Sequence, residues 1–95
     1  MVKITEDQVR KVAKDLDIDL RKLSISTLKK GMKVELEHGL ISPRTNVSYD
    51  DRIMTAKIAL AHIIEFPDYY DRLEQLEKEA KKYWKGHRPF NPFKQ

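Results

Sequence analysis

The stretch Asp51-Arg52-Ile53-Met54-Thr55-Ala56-Lys57-Ile58-Ala59-Leu60-Ala61-His62-Ile63-Ile64-Glu65-Phe66 decides how the chain folds. Ile53, Ala56, Leu60, Ile63 and Ile64 recur at helical spacing and cover one broad face. Met54, Ile58 and Ala61 lie on another, interleaved with Asp51, Thr55, His62 and Glu65. A helix that is apolar on nearly every side belongs in an interior. The pattern therefore predicts a buried third helix, whose polar strip is buried with it or opens into a cleft.

Downstream, Pro67 ends this helix and suits the first turn of the next. The last helix is expected to run to about Lys85. Tyr69, Leu73, Leu76, Ala80 and Tyr83 alternate by four and three, a narrow seam for packing on another helix. Glu74–Lys78 and Glu77–Lys81 stand in the favourable i, i+4 order on its outer side. Gly86 suits a helix C-terminus. The tail from His87 to Gln95 has no helical pattern and is expected to be extended.

Upstream, Leu28, Met32 and Leu36 form the stripe of a second helix, expected from near Ser26 to a C-cap at Gly39. The segment from Leu40 to Tyr49 is irregular, with turn formers at Pro43 and Asn46 and capping candidates at Ser48 and Asp50. Asn46-Val47-Ser48 matches a glycosylation acceptor, but residues 1–20 are too charged for a secretory signal, so we set it aside. The first helix opens on a capping box, Thr5 with Gln8, closed by an Ile4–Val9 staple. It continues through Val12, Ala13 and Leu16, and Asp17 to Ser24 is a connector.

These elements predict an all-α, compact single domain of about four helices over residues 1–85, followed by a basic, aromatic, Pro-containing tail over 86–95. The chain has 95 residues, enough for one modest core and not two. With no cysteine there is no disulfide, thiolate metal site or Cys nucleophile. No apolar run is long enough to cross a bilayer. A cytoplasmic (intracellular) protein without membrane partners is expected.

The net charge of +4 hides an uneven distribution. Residues 35–79 carry ten acidic and five basic side chains, whereas residues 80–95 carry five basic and no acidic ones. In the acidic middle, Glu35-x-x-His38 on the second helix faces His62-x-x-Glu65 on the third. Antiparallel packing would bring His38 level with His62 and Glu35 with Glu65. Two imidazoles and two carboxylates make a nest for a divalent metal such as Zn, Mn or Fe. The alternative is a cofactor-free hydrogen-bond network, in which each histidine satisfies a carboxylate and fixes how the helices meet. Asp51, Thr55, Asp68 and Tyr69 would join Glu35, His38, His62 and Glu65 in it. There is no Gly-rich phosphate loop, nucleophile elbow or His-Glu-x-x-His zinc motif, so an enzyme is not the favoured reading.

At the basic end, Lys81, Lys82, Lys85 and Arg88 are interleaved with Trp84, Phe90 and Phe93. Such a mixture docks on a protein through aromatic anchors, or tracks a nucleic-acid backbone while stacking bases. Alternatively Trp84 caps the core and the tail folds back over it.

The residues Val34-Glu35-Leu36-Glu37-His38-Gly39, Asn46-Val47, Asp50-Asp51, Thr55 to His62, and Glu65-Phe66-Pro67-Asp68-Tyr69-Tyr70 resemble an uncharacterised small helical domain family of phages, large DNA viruses and prokaryotes. The resemblance covers roughly residues 4–80 and excludes the tail. It implies that Glu35, His38, Asp51, His62, Glu65, Asp68 and Tyr69 belong to one feature, and it brings no activity with it. The functional expectation is a small non-enzymatic accessory module, a subunit or partner of a larger protein or nucleic-acid assembly. A metal-binding helical protein is the alternative.

Overall fold

The computed structural model describes residues 3–41, 46, 51–86, 90, 92 and 94. They form four helices and, among the described residues, no strand: α1 (Glu6–Asp15), α2 (Ile25–Ile41), α3 (Arg52–Glu65) and α4 (Tyr69–Trp84). Helices α2 and α3 form the central pair, each touching the other three elements; α1 and α4 flank this pair and do not touch each other.

Local signals set most of the helix ends. Thr5 and Gln8 make the expected capping box at the start of α1. That helix ends on Asp17, whose φ of 58° is left-handed. The Ile18 amide donates to the Ala13 carbonyl and the Asp17 amide to the Lys14 carbonyl, a Schellman motif with Asp in the position usually taken by Gly. Ser24 Oγ accepts the Thr27 amide at 3.2 Å and caps α2. The C-cap expected at Gly39 is not there: α2 continues to Ile41 with Gly39 buried inside it. A glycine in mid-helix lowers helix propensity but does not by itself end the helix, and here Gly39 is buried within it. Asp51 Oδ1 accepts the Met54 amide at 3.0 Å and caps α3. At the far end of α4, Lys85 (φ −58°, ψ 117°) leaves helical backbone and Gly86 takes a positive φ of 82°, which favours glycine.

The main core joins Val9, Val12 and Ala13 of α1 to Leu28, Met32 and Leu36 of α2 and Ala56 of α3. A smaller cluster joins Ala59 and Ile63 of α3 to Tyr70 of α4, with Val34, Tyr69 and Leu73 packed against it. The expectation that α3 is buried all round needs correction. Its buried face is Thr55, Ala56, Ala59 and Ile63, while Met54, Ala61 and Ile64 are exposed, Ile64 at 79%. With only three other helices, neighbours cover one side of α3 and leave the other open.

Candidate functional site

The smaller cluster is where three helices meet, and Gly31 makes the meeting possible. A Cβ at Gly31 would lie 2.7 Å from Tyr70 Cε2 and 3.1 Å from Ala59 Cβ. Glycine in mid-helix costs about 1 kcal/mol relative to alanine. Here the absent side chain lets the Tyr70 ring lie against the α2 backbone.

One turn further along α2, Glu35 is 12% exposed and accepts the Tyr70 hydroxyl at 2.7 Å. Burial, and then the hydrogen bond to Glu35, push the Tyr70 phenol well above its ordinary range, so it stays a proton donor. His62 Nε2 approaches the same Glu35 oxygen at 3.9 Å. The His62 ring stacks on Tyr69 with centroids 4.2 Å apart and planes 5° from parallel. Tyr69 in turn meets Tyr70 edge-on at 4.9 Å. A carboxylate, an imidazole and two phenols thus fill the junction of α2, α3 and α4. The cleft beside them, lined by Lys30, Val34, Tyr70 and Glu74, holds about 70 Å³. That is well below the roughly 300 Å³ at which small-molecule sites begin.

The other residues expected in this network lie elsewhere. His38 Nε2 faces Glu77 Oε1 of α4 at 3.5 Å, whereas His62 approaches Glu35, so the two histidines face different carboxylates. Glu65, at the end of α3, is exposed, whereas the Glu35 side chain is largely buried. Asp51 caps α3, and the fully buried Thr55 donates its hydroxyl to the Asp51 carbonyl at 2.6 Å. Asp68 pairs with Arg72 at 2.9 Å on the surface. The eight residues are therefore split among separate pairs, and only Glu35, His62 and Tyr69 share a place. Among the described residues no three His, Asp or Glu side chains are grouped to hold a metal, so Glu35, His38, His62 and Glu65 do not make the expected nest. The physical reason is register: α4 intervenes and takes His38 for itself.

Sequence reasoning missed Gly31 and read Tyr70 only as part of a resemblance. A lone glycine inside a strong helical pattern was the available signal, because its propensity cost asks for a packing reason.

Lys30 adds a second tie between α2 and α4, donating to Asp71 at 2.8 Å and lying 2.6 Å from Glu74. Those two hydrogen bonds raise the Lys30 ammonium's pKa, and Lys30 holds the Glu74 carboxyl below its usual range. Beyond Glu77 the helix is mostly exposed. From Lys78 to Trp84 every residue except Ala80 is exposed. Leu76 is 58% exposed, Tyr83 71% and Trp84 40%, with the last two rings edge-on to each other at 4.9 Å. Ala80, Lys81, Trp84 and Glu77 line a shallow apolar groove there. Lys81, Lys82 and Lys85 are exposed beside it, and Phe90 is exposed too. Trp84 does not cap the core. Arg88 and Phe93 lie outside the described residues.

A helical domain holding a polar junction at its centre and an open helix end is the class defined by this geometry. The chain belongs to the family Protein of unknown function (DUF5661), whose model matches residues 9–79. The match takes in the polar junction and ends inside α4. No curated protein and no solved structure matches the chain. No helix among the described residues is long and apolar enough to cross a membrane.

Proposed function

We propose that the protein is a non-enzymatic interaction module that docks on an acidic protein partner through the end of α4 and the tail. The observation that carries this reading is the exposure of Leu76, Tyr83 and Trp84 along one helix end, flanked by Lys81, Lys82 and Lys85. Exposed aromatics with basic neighbours are the composition of an interface anchor. Residues 80–95 contain no acidic side chain, so the surface suits a partner of opposite charge. The chemistry-bearing side chains support the same reading, because the Glu35–Tyr70 bond joins helices and leaves no substrate-sized cavity beside it.

The test compares the full chain with one ended after Lys85 for capture of proteins from nuclease-treated lysate of the source cells. A protein retained by the full chain, and lost on truncation at unchanged Tm, is the expected result. Equal capture by both chains would sink the reading. Capture seen from untreated lysate but lost after nuclease treatment would instead identify nucleic acid as the partner, with a steep dependence on salt.

A further inference from the structure

Helix α3 presents to solvent a face that its own chain leaves open. At about 100° per residue, Met54, Lys57, Ile58, Ala61, Ile64 and Glu65 fall within about 60° of the direction of Ala61. The buried Thr55, Ala56, Ala59 and Ile63 lie on the opposite side. Ile64 is 79% exposed and Met54 45%; Lys57, Ala61 and Glu65 are exposed too, and Ile58 is half-buried. The other charged or titratable side chains of this region point elsewhere. Arg52 lies about 180° round the helix from Ala61. His62 stacks on Tyr69 beside Glu35, Asp51 caps the helix, and Asp68 pairs with Arg72. Lys57 and Glu65 therefore carry the charge of the open face, and neither is in an ion pair among the described residues.

We infer that this face pairs with the α3 of a second copy of the chain, the two helices running antiparallel about a twofold axis at Ala61. Lys57 and Glu65 stand four residues either side of Ala61, so antiparallel pairing sets the Lys57 of each copy level with the Glu65 of the other. The contact is isologous, and this pair occurs twice. Ile58 and Ile64, three residues either side of Ala61, come level in the same way. Ala61 meets its own copy, and a side chain that small lets the two backbones approach closely. Parallel pairing would instead set Lys57 against Lys57 and Glu65 against Glu65, which like-charge repulsion disfavours. An apolar stripe alone would suit many partners; one cation and one anion placed symmetrically about a small residue suit a second copy. The face spans roughly three turns. That is short of the roughly 800 Å² per partner of a standard interface, so the dimer is weak and depends on concentration. The pairing uses no residue of α4 and does not rest on the docking reading. Where both hold, the dimer presents two docking ends and gains avidity for an acidic partner with two sites.

Sedimentation velocity of the full chain across a wide concentration range reads the pairing directly. The expected result is a monomer–dimer equilibrium that Ile64→Glu shifts to monomer. The Tm of the dilute protein should not change, because Ile64 is largely exposed within its own chain. Lys57→Glu and Glu65→Lys should each weaken the dimer several-fold, and the double swap should restore it, because only the pairing across the axis is re-formed. A monomer at every concentration overturns the proposal. So does a dimer that Ile64→Glu leaves intact, or a double swap no stronger than the single variants. Ending the chain after Lys85 should leave the equilibrium unchanged. A dimer lost with the tail would overturn α3 pairing and assign self-association to the docking end.

Discussion

Each half of α4 carries two adjacent aromatics, and the two pairs have almost the same internal geometry: Tyr69 and Tyr70 meet edge-on at 4.9 Å, as do Tyr83 and Trp84. Their fates are opposite. Tyr70 is buried against α2 and α3, whereas Tyr83 and Trp84 are exposed. Local sequence does not distinguish the pairs, because both sit in amphipathic helix of the same period. What differs is the surface each one meets. Tyr70 finds a helix without a side chain at Gly31 and a carboxylate acceptor at Glu35 one turn away. An aromatic is buried where its neighbours supply both a recess and a partner for its polar end.

The strongest way to break this contrast is truncation at each site. Tyr70→Ala should destabilise by about 3–5 kcal/mol, the usual range for deleting a buried aromatic. Trp84→Ala should stay within about 1 kcal/mol. Chemical denaturation of both variants measures the difference, and equal costs would mean that the α4 end is part of the core.

Gly31→Ala comes next. Helix propensity alone predicts a gain of about 1 kcal/mol. The Tyr70 ring stands in the way, anchored by its hydrogen bond to Glu35, so the overpacking cost of about 1–3 kcal/mol should win. Combining it with Tyr70→Ala should remove the clash and turn the glycine substitution stabilising, a cycle that reads the contact itself.

Tyr70→Phe keeps the ring and removes the donor. It leaves the Glu35 carboxylate poorly satisfied and should cost about 1–3 kcal/mol at neutral pH. It should also change the alkaline limb of stability. The folded-state pKa is raised above the ordinary value. The unfolded tyrosine ionises near pH 10 and the folded one does not, so stability is fully present below about pH 10 and falls as pH rises beyond it. In Tyr70→Phe that part of the alkaline loss should vanish, which thermal melts from neutral to high pH would record.

The smallest effects belong to the exposed pairs. His38→Ala should change stability by no more than about 0.5 kcal/mol, because His38 and Glu77 are both about half exposed. His62→Ala should cost about 1 kcal/mol. Losing the imidazole strands no carboxylate, because the Tyr70 hydroxyl already satisfies Glu35. Addition of Zn, Mn or Fe should leave Tm unchanged; a stoichiometric shift would revive the metal reading.

Four helices and their main stripes were legible in the sequence because each rests on local signals. Leu28, Met32 and Leu36 lie one above another on one face, and Thr5 with Gln8 caps its own helix whatever the rest of the chain does. The errors came where a distant element decides. Gly39 looks like a terminator, yet the helix runs on to Ile41. The Glu-x-x-His and His-x-x-Glu spacings are real, but which groups meet depends on how α4 crosses. Its arrival gives Glu35 to Tyr70 and His38 to Glu77. Nothing within either motif records that crossing. The exposed outer face of α3 was misjudged because periodicity reports what a helix offers and not how many neighbours it has.

That α1 and α4 never touch has a consequence for how the molecule opens. The larger core holds α1, α2 and α3 together, whereas α4 is secured by the small cluster around Tyr70 and by ties to α2 at Lys30 and His38. Detaching α4 therefore leaves the main core assembled, and its free energy should lie below that of global unfolding. Native-state hydrogen exchange should show α4 amides exchanging through this partial opening, ahead of Leu28, Met32 and Leu36. Such an opening would free Glu35 and the Gly31 surface together, so the helix bearing the contact surface is also the one most readily released.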